Sequence, residues 1–366
     1  MYSPHPFTVP IKQRSHIHKV ENGIVHKMTN AELGGIISNK LFIKVLSYNV
    51  LADCYSHYFM FKYVDHSILK FKYRSFRILE EIKQSNSDII CLQEVDHIHD
   101  FYKPNLEQLG YSIQYTLRRE KDAVLVGYKK DYFLLLHQEP VDYNEIMAIY
   151  QDKSFLRHNK AQICLLEHIE SKLKLIVISS HLFWGEDNIK SAQTSLLIQK
   201  LSNFIEVHFK EDQELPGIII CGDFNSGLKS PTVRMIYGEQ LDMEAIHPKE
   251  LALYNKINQL YQELTRKKKF KLISSYQKYN IIPEADMHND LERRLKGHPS
   301  FTNYTGKYKD HFDYIFHSEN LLEMPTLEDL TMETALPNSI FPSDHVRIEA
   351  LFSLELNQNH RIVGKL

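Results

Sequence analysis

The sequence predicts an α+β sandwich, in which two mixed, mostly antiparallel β-sheets pack face to face and are flanked by helices. Short apolar runs recur along the chain and end in a polar residue, which is typical of buried strands that lead into functional loops. Some runs are separated by enough chain for a helix, whereas others are separated only by a tight turn. Strands joined in both ways, with both faces apolar, favour two packed sheets.

The predicted elements follow one another from residue 41. Strands are predicted over residues 41–49, 89–94, 175–181, 218–223, 312–316 and 346–354. Helices are predicted over residues 73–84 and 189–209, because apolar residues recur there at helical spacing. Antiparallel hairpins are predicted where the linking chain is too short for a helix, namely for residues 123–128 with 133–136 and for residues 163–169 with 173–179.

The composition is that of a globular protein that does not span a membrane. Of the 366 residues, 43% are hydrophobic and 25% are charged, and no apolar run reaches the length of a membrane helix. The formal net charge of -2 provides no global positive field, so a polyanionic substrate must be held by local groups and metal ions. The four cysteines show no paired metal-ligand spacing, and we expect free thiols in a reducing compartment.

We expect one catalytic domain over residues 41–356, with a poorly determined lead-in at 1–40 and a C-terminal tail at 357–366. Residues 239–294 are more polar and helix-rich and carry a basic cluster at 266–271, which favours an insertion or active-site flap. The lead-in lacks the apolar segment that a secretory signal needs. The protein is therefore expected inside the cell, in the cytoplasm, with a mitochondrial location as the alternative.

The strongest chemical motif is the run CGDFNS at residues 221–226, directly after an apolar strand. Gly222 permits a sharp exit from the strand, and Asp223 and Asn225 point to the same side if the chain stays extended. Such a pair can hold one water molecule. An Asp-x-Asn after a strand is also frequent in turns that bond their own backbone, so the motif alone leaves both interpretations open.

A second motif places Glu94 at the end of a strand that is otherwise apolar. Desolvating a carboxylate there is costly unless a cation or a hydrogen-bond donor meets it, and Mg²⁺ is a natural partner. Asn49 and Gln93 can add neutral oxygens. The alternative is a glutamate that simply reaches solvent at the end of its strand.

Further candidates lie at the edges of other strands. Asp344 and His345 open the last strand, where a histidine can contact a phosphoryl oxygen while the aspartate helps a metal or orients another group. His181 and Asp313 stand at the edges of two more apolar runs. Because the chain contains 20 histidines, a hydrogen-bonded structural role is the alternative for each of them.

Packed strands would bring these strand edges, with their carboxylates, amides and imidazoles, to one rim. The sequence has no recognisable triad around a nucleophilic serine or cysteine and no glycine-rich phosphate loop. The chemistry that remains is metal-assisted hydrolysis.

The motifs resemble the endonuclease/exonuclease/phosphatase superfamily. Within it, they are most similar to the branch that contains the carbon catabolite repression deadenylases, Nocturnin, the Angel proteins and the mitochondrial 2′-phosphodiesterase. The matching stretches are residues 46–52, 73–74, 88–96, 181–184 with Gln193, 221–226, and 299–305 followed by 313–316. The resemblance extends from about residue 45 to residue 354 and implies a four-layer α/β sandwich.

Carried over residue by residue, the resemblance implies that Glu94 is the principal Mg²⁺ ligand and that Asn49 supports it, with Mn²⁺ as a substitute metal. It further implies that Asp223 and Asn225 position and activate the attacking water, around one metal or two.

On the substrate side, the resemblance implies that Asp313 orients His345, which binds the scissile phosphate together with His181. Asp344 would complete the polar rim. Tyr308 stands five residues before Asp313, where an aromatic residue of this branch often stacks on a base.

Two positions depart from the deadenylase pattern. Glu186 stands where these enzymes usually have a proline that packs a base, and Ala123 follows Asp122 where glycine is usual. These departures leave the catalytic chemistry intact and leave the preference for adenosine open.

The predicted function is Mg²⁺-dependent phosphodiester hydrolysis by a 3′–5′ exoribonuclease of the deadenylase type, acting on single-stranded RNA. One alternative is a phosphatase that acts on RNA 2′,3′-cyclic phosphate ends or on a small nucleotide. Another is a non-catalytic scaffold that binds RNA or a protein. No membrane partner is predicted and protein partners stay undefined. The basic cluster at 266–271 either steers a phosphate backbone or is a solvated face.

Overall fold

The computed structural model of the chain describes residues 18–21, 24–27, 40–210, 213–239, 251–266, 270–276, 298–306, 308–324 and 334–355. Its strands are β1 (His18–Glu21), β2 (Ile24–Lys27), β3 (Lys40–Asn49), β4 (Ile89–Val95), β5 (Tyr111–Arg118), β6 (Asp122–Lys129), β7 (Phe133–Asp142), β8 (Lys160–His168), β9 (Lys174–His181), β10 (Gly217–Asp223), β11 (Leu272–Ser274), β12 (Asn303–Tyr304), β13 (Lys309–Asp310), β14 (Asp313–Ser318), β15 (Leu322–Met324) and β16 (Ile348–Glu355). Its α-helices are α1 (His66–Leu69), α2 (Phe71–Ser85), α3 (Lys103–Gln108), α4 (Glu145–Tyr150), α5 (Asp187–His208), α6 (Pro231–Tyr237) and α7 (Leu251–Arg266). None of these described helices has the length and apolar character needed to cross a bilayer.

Within the described residues, two six-stranded sheets form the centre of the fold. The first sheet has the order β15-β16-β3-β4-β6-β5, and the second has the order β11-β14-β10-β9-β8-β7. β3 runs parallel to β4 and β9 runs parallel to β10, whereas the other neighbours described in these sheets are antiparallel. The prediction of two mixed, mostly antiparallel sheets is confirmed.

The two sheets pack against each other through their apolar faces. Val45 and Ile89 of the first sheet and Val177 and Ile219 of the second belong to one buried cluster between them. Helices α2 and α3 cover the outer face of the first sheet, and α5, α6 and α7 cover the outer face of the second. Each such aliphatic side chain contributes on the order of 2 kcal/mol when it is fully buried. The layers are helix, sheet, sheet and helix, so the predicted four-layer sandwich is confirmed.

Both predicted helices are present with small shifts at their ends. Helix α2 begins two residues before the predicted start and ends against Asn86, which has φ 47° and ψ 38°. Asparagine tolerates this left-handed conformation, which ends many helices. Helix α5 packs into the core along most of its length, because it lies on the second sheet and contacts α6 and α7.

One predicted hairpin is confirmed and the other is wrong. β8 and β9 pair as antiparallel neighbours, as expected for residues 163–169 with 173–179. Residues 123–128 and 133–136 lie in different sheets, in β6 and β7. The reason is that β6 is hydrogen-bonded to β4 on one side and to β5 on the other, so it has no free edge for β7. The short turn between them therefore carries the chain from the first sheet to the second.

The described part of residues 239–294 contributes to the second sheet and to its helical layer. Helix α7 packs on α5, and β11 pairs with β14 at the edge of the sheet. Most of the lead-in at 1–40, the tail at 357–366 and Lys267–Lys269 of the basic cluster lie outside the described residues. The four cysteines are free thiols, as predicted.

Gly222 is required by the close approach of β9 and β10. It has φ 154°, and a Cβ atom built on it would lie 1.9 Å from the carbonyl oxygen of Ser180. No side chain fits at that distance without moving the backbone of one strand. Because the next residue is Asp223, the glycine also determines where this carboxylate leaves the sheet.

We expect Gly222→Ala to lower the free energy of unfolding by roughly 2 to 4 kcal/mol, because the methyl group meets backbone that cannot move aside. Urea denaturation followed by circular dichroism measures this change. Gly227→Ala is the matched control, since its added Cβ would make ordinary contact with Asp310 at 3.5 Å. Equal stability of the two variants would contradict the assigned role of Gly222.

Candidate active site

Most of the predicted site residues lie at one rim of the sandwich, where the carboxyl ends of the two parallel strand pairs meet. Asn49 ends β3 and Glu94 lies near the end of β4, whereas His181 and Asp223 end β9 and β10. In the second sheet, Asp223 is the register partner of both His181 and Asp313. The two sheets therefore contribute opposite walls of a single polar site.

Glu94 reaches this rim because of a bulge in β4. The register of β4 with β6 shifts between Leu92 and Val95, and Glu94 has a φ of 56°. A bulge re-aims a side chain, and a positive φ at a residue other than glycine is uncommon outside turns and functional sites. The Oε2 atom of Glu94 accepts a hydrogen bond from the backbone N–H of Ala52 at 3.1 Å.

Asn49 links the two walls of the site. Its Nδ2 atom donates to Oε1 of Glu94 at 3.2 Å and to Oδ2 of Asp223 at 3.0 Å. Its Oδ1 atom accepts from the N–H of Leu51 at 3.0 Å. The amide therefore presents its nitrogen to the carboxylates, and its oxygen is held by the backbone.

His345 lies between two carboxylates. Its Nδ1 atom is 2.7 Å from Oδ2 of Asp313, and its Nε2 atom is 3.5 Å from Oδ2 of Asp223. Burial alone would lower the pKa of His345, but the charges of Asp313 and Asp223 outweigh burial and raise this pKa well above its ordinary value. His345 is therefore an imidazolium that can donate a hydrogen bond to an anion.

His181 has the opposite character. Burial lowers the pKa of His181 well below its ordinary value, and the positive charges of Arg118 and His345 lower it further. Its Nε2 atom lies 3.6 Å from Oδ2 of Asp223 and 3.9 Å from Oε1 of Glu94. Its backbone carbonyl accepts a hydrogen bond from Nδ2 of Asn159 at 3.1 Å. The site thus has one charged and one neutral imidazole.

The pKa values of three carboxyl groups in the site are raised. Burial, followed by the charge of Asp344, raises the pKa of Glu94 to about 7. Burial also raises the pKa values of Asp223 and Asp344, although His345 opposes this effect for both. Several acids that are hard to ionise together indicate a site that a cation would stabilise.

The remaining predicted site residues are Asn225, Asp344 and Tyr308. Asn225 has a φ of 48°, so the chain turns there, and its Nδ2 atom donates to the carbonyl of Leu182 at 3.0 Å. Asp344 accepts from Nδ2 of Asn303 at 3.4 Å on the rim beside His345. Tyr308 lies at the tip of the β12–β13 hairpin, with 65% of its surface exposed.

The family model of the Endonuclease/Exonuclease/phosphatase family matches residues 46–345, a span that contains all of these side chains. The chain belongs to the Endonuclease/Exonuclease/phosphatase family.

The chain is similar to several characterised members of this family. The CCR4-Not complex 3′-5′-exoribonuclease subunit Ccr4 of Yarrowia lipolytica is 30% identical over 362 residues, covering 85% of this chain and 48% of that protein. The chain spans about half the length of the fungal relatives that it matches. A crystal structure of ANGEL2, a 2′,3′-cyclic phosphatase, in complex with adenosine-2′,3′-vanadate is 26% identical, with a TM-score of 0.69 over 87% of this chain and 97% of that chain. The human Nocturnin catalytic domain with bound sulfate anion has a TM-score of 0.57 at 21% identity over 86% of this chain and 96% of that chain, which shows the shared fold.

Two groups of side chains in the site are candidates to hold a metal ion. Ligand atoms of Asp223, Asp313 and His345 lie within 4.8 Å of one another. Because His345 is held as an imidazolium by both aspartates, it is a poor ligand in this arrangement. Glu94 and Asp344 form the better fit, since both are hard oxygen donors whose pKa values burial raises, and the charge of Asp344 adds to this effect at Glu94.

Arg74 has a structural role at the site that the motif analysis did not assign. It is 1% exposed, and its Nη1 atom donates to the carbonyl oxygens of Val50, Leu51 and Pro342 at 3.2, 2.8 and 3.4 Å. The side chain thereby joins the loop after β3 to the segment that leads to His345. Only the Tyr73-Arg74 match to the family motif hinted at this residue.

Arg118 was also missed by the sequence analysis. It pairs with Asp122 across the turn that joins β5 to β6, and its charge opposes the raised pKa of Glu94. An arginine four residues before a motif aspartate is not distinctive in sequence, because the pairing depends on where the hairpin turns.

The raised pKa of Glu94 predicts a measurable effect on stability in metal-free protein. Glu94 titrates near pH 7 when folded and near its ordinary value of 4.5 when unfolded, so the folded state binds the extra proton between these pH values and stability falls as pH rises through them. We expect the stability of the wild type relative to Glu94→Gln to increase by about 1 kcal/mol as the pH falls from 8 to 6.

Urea unfolding of both proteins in EDTA at the two pH values measures this difference. Comparison with Glu94→Gln removes the contributions of the two histidines, which change with pH in both proteins. A gap that stays constant between pH 8 and pH 6 would show that the Glu94 carboxyl has an ordinary pKa.

Proposed function

We propose that this chain is a Mg²⁺-dependent phosphodiester hydrolase that acts as a 3′–5′ exoribonuclease on single-stranded RNA. The observation that carries the proposal is the placement of Asp223, whose Oδ2 atom lies 3.5 Å from Nε2 of the charged His345 and 3.0 Å from Nδ2 of Asn49. A proton acceptor thus lies beside a cationic donor, as in-line attack of water on a phosphate requires.

Asp223 is the proposed general base. Water attacks phosphorus and its proton passes to Oδ2 of Asp223, while the bond from phosphorus to the ribose oxygen breaks and the leaving oxygen takes a proton from solvent. Burial raises the pKa of Asp223, which makes it a stronger base than an exposed aspartate. Asn49 and the N–H of Asn225, which donates to Oδ1 at 2.8 Å, keep the carboxylate oriented.

The two histidines are proposed to contact the phosphoryl oxygens. His345 donates from Nε2, while Asp313 holds Nδ1 and keeps the ring charged. His181 is neutral, so it binds a phosphoryl oxygen more weakly than His345 does. Its position on β9 places its Nε2 atom 3.9 Å from Oε1 of Glu94, on the opposite side of the site. Charge that develops on the phosphoryl oxygens is thereby met by a preorganised cation and a second donor.

Mg²⁺ is proposed to be held by Glu94, with Asp344 beside it and Asn49 supporting Glu94, and Mn²⁺ can replace it. When bound, such an ion supplies positive charge to the phosphate and stabilises the leaving oxygen. The buried carboxylates support this placement, because a divalent cation would offset both the burial and the repulsion by Asp344 that raise the pKa of Glu94.

The substrate assignment is supported by the Ccr4 exoribonuclease subunit of Yarrowia lipolytica, which is 30% identical over 85% of this chain. The absence of a dominant positive field, with a net charge of -2, favours a short single-stranded contact at the rim over a long duplex contact. Residues 41–356 are proposed as one catalytic domain.

A second candidate is a phosphatase that acts on 2′,3′-cyclic phosphate ends. The specific support is the similarity to ANGEL2, which covers 97% of that chain at a TM-score of 0.69. The same general base and imidazolium suit both reactions, because each begins with attack of water on a phosphodiester. On a cyclic end, this step opens the ring, and a second attack of water on the resulting monoester releases inorganic phosphate. The substrate pocket therefore decides between them.

We expect Asp223→Asn and Glu94→Gln each to reduce hydrolysis by roughly 1,000-fold, because one removes the proton acceptor and the other weakens the metal site. Turnover is measured in Mg²⁺ on labelled oligo(A), mixed-sequence RNA and RNA ending in a 2′,3′-cyclic phosphate. Asp131→Asn is the control, since Asp131 is exposed and far along the chain from every site residue. Near-normal activity of either site variant refutes the mechanism.

Product analysis of the same reactions separates the candidate functions. Release of mononucleotides from the 3′ end identifies an exoribonuclease, whereas loss of the cyclic phosphate without shortening identifies the phosphatase. An inactive wild type that still binds RNA identifies the scaffold.

Asp313→Asn is expected to move the alkaline limb of the pH–rate profile to lower pH by roughly one unit or more. The sign follows because the negative charge of Asp313 raises the pKa of His345, and the variant removes that charge. Activity that needs the imidazolium is then lost at a lower pH. A reduced rate with an unshifted profile would mean that Asp313 acts only on the geometry of His345.

A further inference from the structure

The β12–β13 hairpin is joined directly to the segment that carries Asp344 and His345. Asn303 forms a backbone bridge with His345, and the N–H of Tyr304 donates to the carbonyl oxygen of Asp344 at 3.1 Å. The base of the hairpin is therefore fixed to the rim of the site.

The tip of this hairpin carries an exposed aromatic ring. Tyr308 is 65% exposed, and within the described residues its ring packs against no other aromatic ring. Its backbone is held by Thr305, whose N–H donates to the carbonyl oxygen of Tyr308 at 2.8 Å and whose Oγ1 atom accepts from the N–H of Tyr308 at 3.2 Å. An exposed ring beside a site for single-stranded RNA is a surface on which a base can stack.

Tyr63 contacts the hairpin from the loop between β3 and α1. A Cβ atom built on Gly306 would lie 2.9 Å from both Cδ1 and Cε1 of Tyr63, so the ring lies directly against the backbone of the tip. The hydroxyl of Tyr63 donates to the carbonyl oxygen of Leu336. The N–H of Leu336 in turn donates to the carbonyl oxygen of Tyr304 at 2.6 Å. Tyr63 is thus connected to the hairpin at its tip and, through Leu336, at β12.

The loop that carries Tyr63 is anchored to the first sheet. Phe61 and Val64, on either side of Tyr63, are buried in a small apolar cluster with Leu51 and Leu69. The ring of Phe61 meets that of Tyr63 edge-on, with 6.2 Å between their centres. Because Leu51 follows directly on the end of β3, Tyr63 ties the hairpin to the wall of the site that the first sheet provides.

The hairpin needs such a contact to keep its tip in one place. β12 and β13 are two residues long each and share two register pairs. A two-stranded hairpin of this size is marginally stable without contacts to the rest of the protein. A ring that is already in position loses less freedom when it stacks on a base, so fixing the tip favours binding.

We infer that Tyr63 is a positioning residue for base recognition, which holds the hairpin tip at Gly306 so that Tyr308 is placed to stack on a base of the RNA. This contact between Tyr63 and Gly306 is called the Tyr63 clamp. The inference rests on the proposed function for the identity of the ligand as single-stranded RNA. Tyr63 acts through Tyr308 and takes no part in bond cleavage.

Equilibrium binding of two RNA probes tests the Tyr63 clamp without turnover. One probe is a labelled oligo(A), the other is the same RNA with abasic sugars at its last two positions, and both are titrated in Mg²⁺ against Asp223→Ala protein. The ratio of the Kd for the abasic probe to the Kd for oligo(A) measures the contribution of the bases. Tyr308→Ala is expected to lower this ratio roughly tenfold, because a stacked base loses its platform.

Tyr63→Ala is expected to lower the same ratio roughly fivefold when Tyr308 is present and to leave it unchanged in Tyr308→Ala protein, because Tyr63 acts through Tyr308. Equal weakening of both probes would mean that Tyr63 has only a structural role. An equal loss with and without Tyr308 would mean that Tyr63 contacts the base itself. Either result, or an unchanged ratio, overturns the inference.

Two further variants test the contact with Gly306. Gly306→Ala displaces the Tyr63 ring, because its Cβ atom would lie 2.9 Å from two ring carbons, and it should lower the ratio as Tyr63→Ala does. Tyr63→Phe keeps the ring against Gly306, so it should retain more of the ratio than Tyr63→Ala and guards against a general loss of folding, which thermal melting checks. An unchanged ratio in Gly306→Ala, or a ratio in Tyr63→Phe as low as in Tyr63→Ala, overturns the Tyr63 clamp.

Tyr58→Ala is the matched control. Tyr58 lies in the same loop, is 50% exposed, and has its ring 5.9 Å from that of His66. Its removal is expected to leave the ratio unchanged. A fall as large as that of Tyr63→Ala would indicate an effect of the whole loop and would overturn the assignment to Tyr63.

Hydrolysis of oligo(A) by the wild type and by Tyr63→Ala separates this inference from the proposed function. If the wild type does not cleave the RNA but the ratio in binding still depends on Tyr63, the proposed function fails and the Tyr63 clamp stands. If cleavage proceeds and Tyr63→Ala raises KM with kcat unchanged, both stand. If cleavage proceeds and the ratio does not depend on Tyr63, the Tyr63 clamp fails and the proposed function stands.

Discussion

The largely buried carboxylates at the junction of two apolar sheets are the constraint on which the rest of the site depends. Such groups are stable in a folded protein only when donors or cations meet them. The chain meets this need with the amide of Asn49, the backbone N–H of Ala52 and the imidazolium of His345. These groups do not neutralise the negative charge of Glu94, so a bound cation can do so. The proposed chemistry depends on that cation.

Much of the fold follows from local sequence patterns. The strands that end in Asn49, Asp223 and His181 were predictable because apolar runs that end in a polar residue have few alternative structures. The wrong hairpin between residues 123–128 and 133–136 has a physical cause, since short turns join strands within a sheet and also carry the chain between sheets. Sequence spacing does not distinguish these two uses, whereas the number of free strand edges does.

The sequence predicted which residues form the candidate site more fully than it predicted how they are arranged. The turn at Asn225 and the bulge at Glu94 depend on backbone conformations with positive φ. The presence of an asparagine or a glutamate in the sequence does not predict these conformations. Arg118 and Arg74 were harder to predict, because their partners are a carboxylate across a turn and the carbonyl oxygens of distant loops. Such roles are properties of tertiary contacts and have no short motif.

The pairing of β3 with β16 brings together the first and the last strand, in chain order, of the two six-stranded sheets. The centre of the first sheet is incomplete until β16 is present, and His345 stands directly before that strand. A growing chain on the ribosome therefore contains Glu94 and Asp223 before His345, the imidazolium partner of Asp223, has been made. The site cannot be assembled until this late segment of the chain is in place, so completion of the sheet and assembly of the site are coupled.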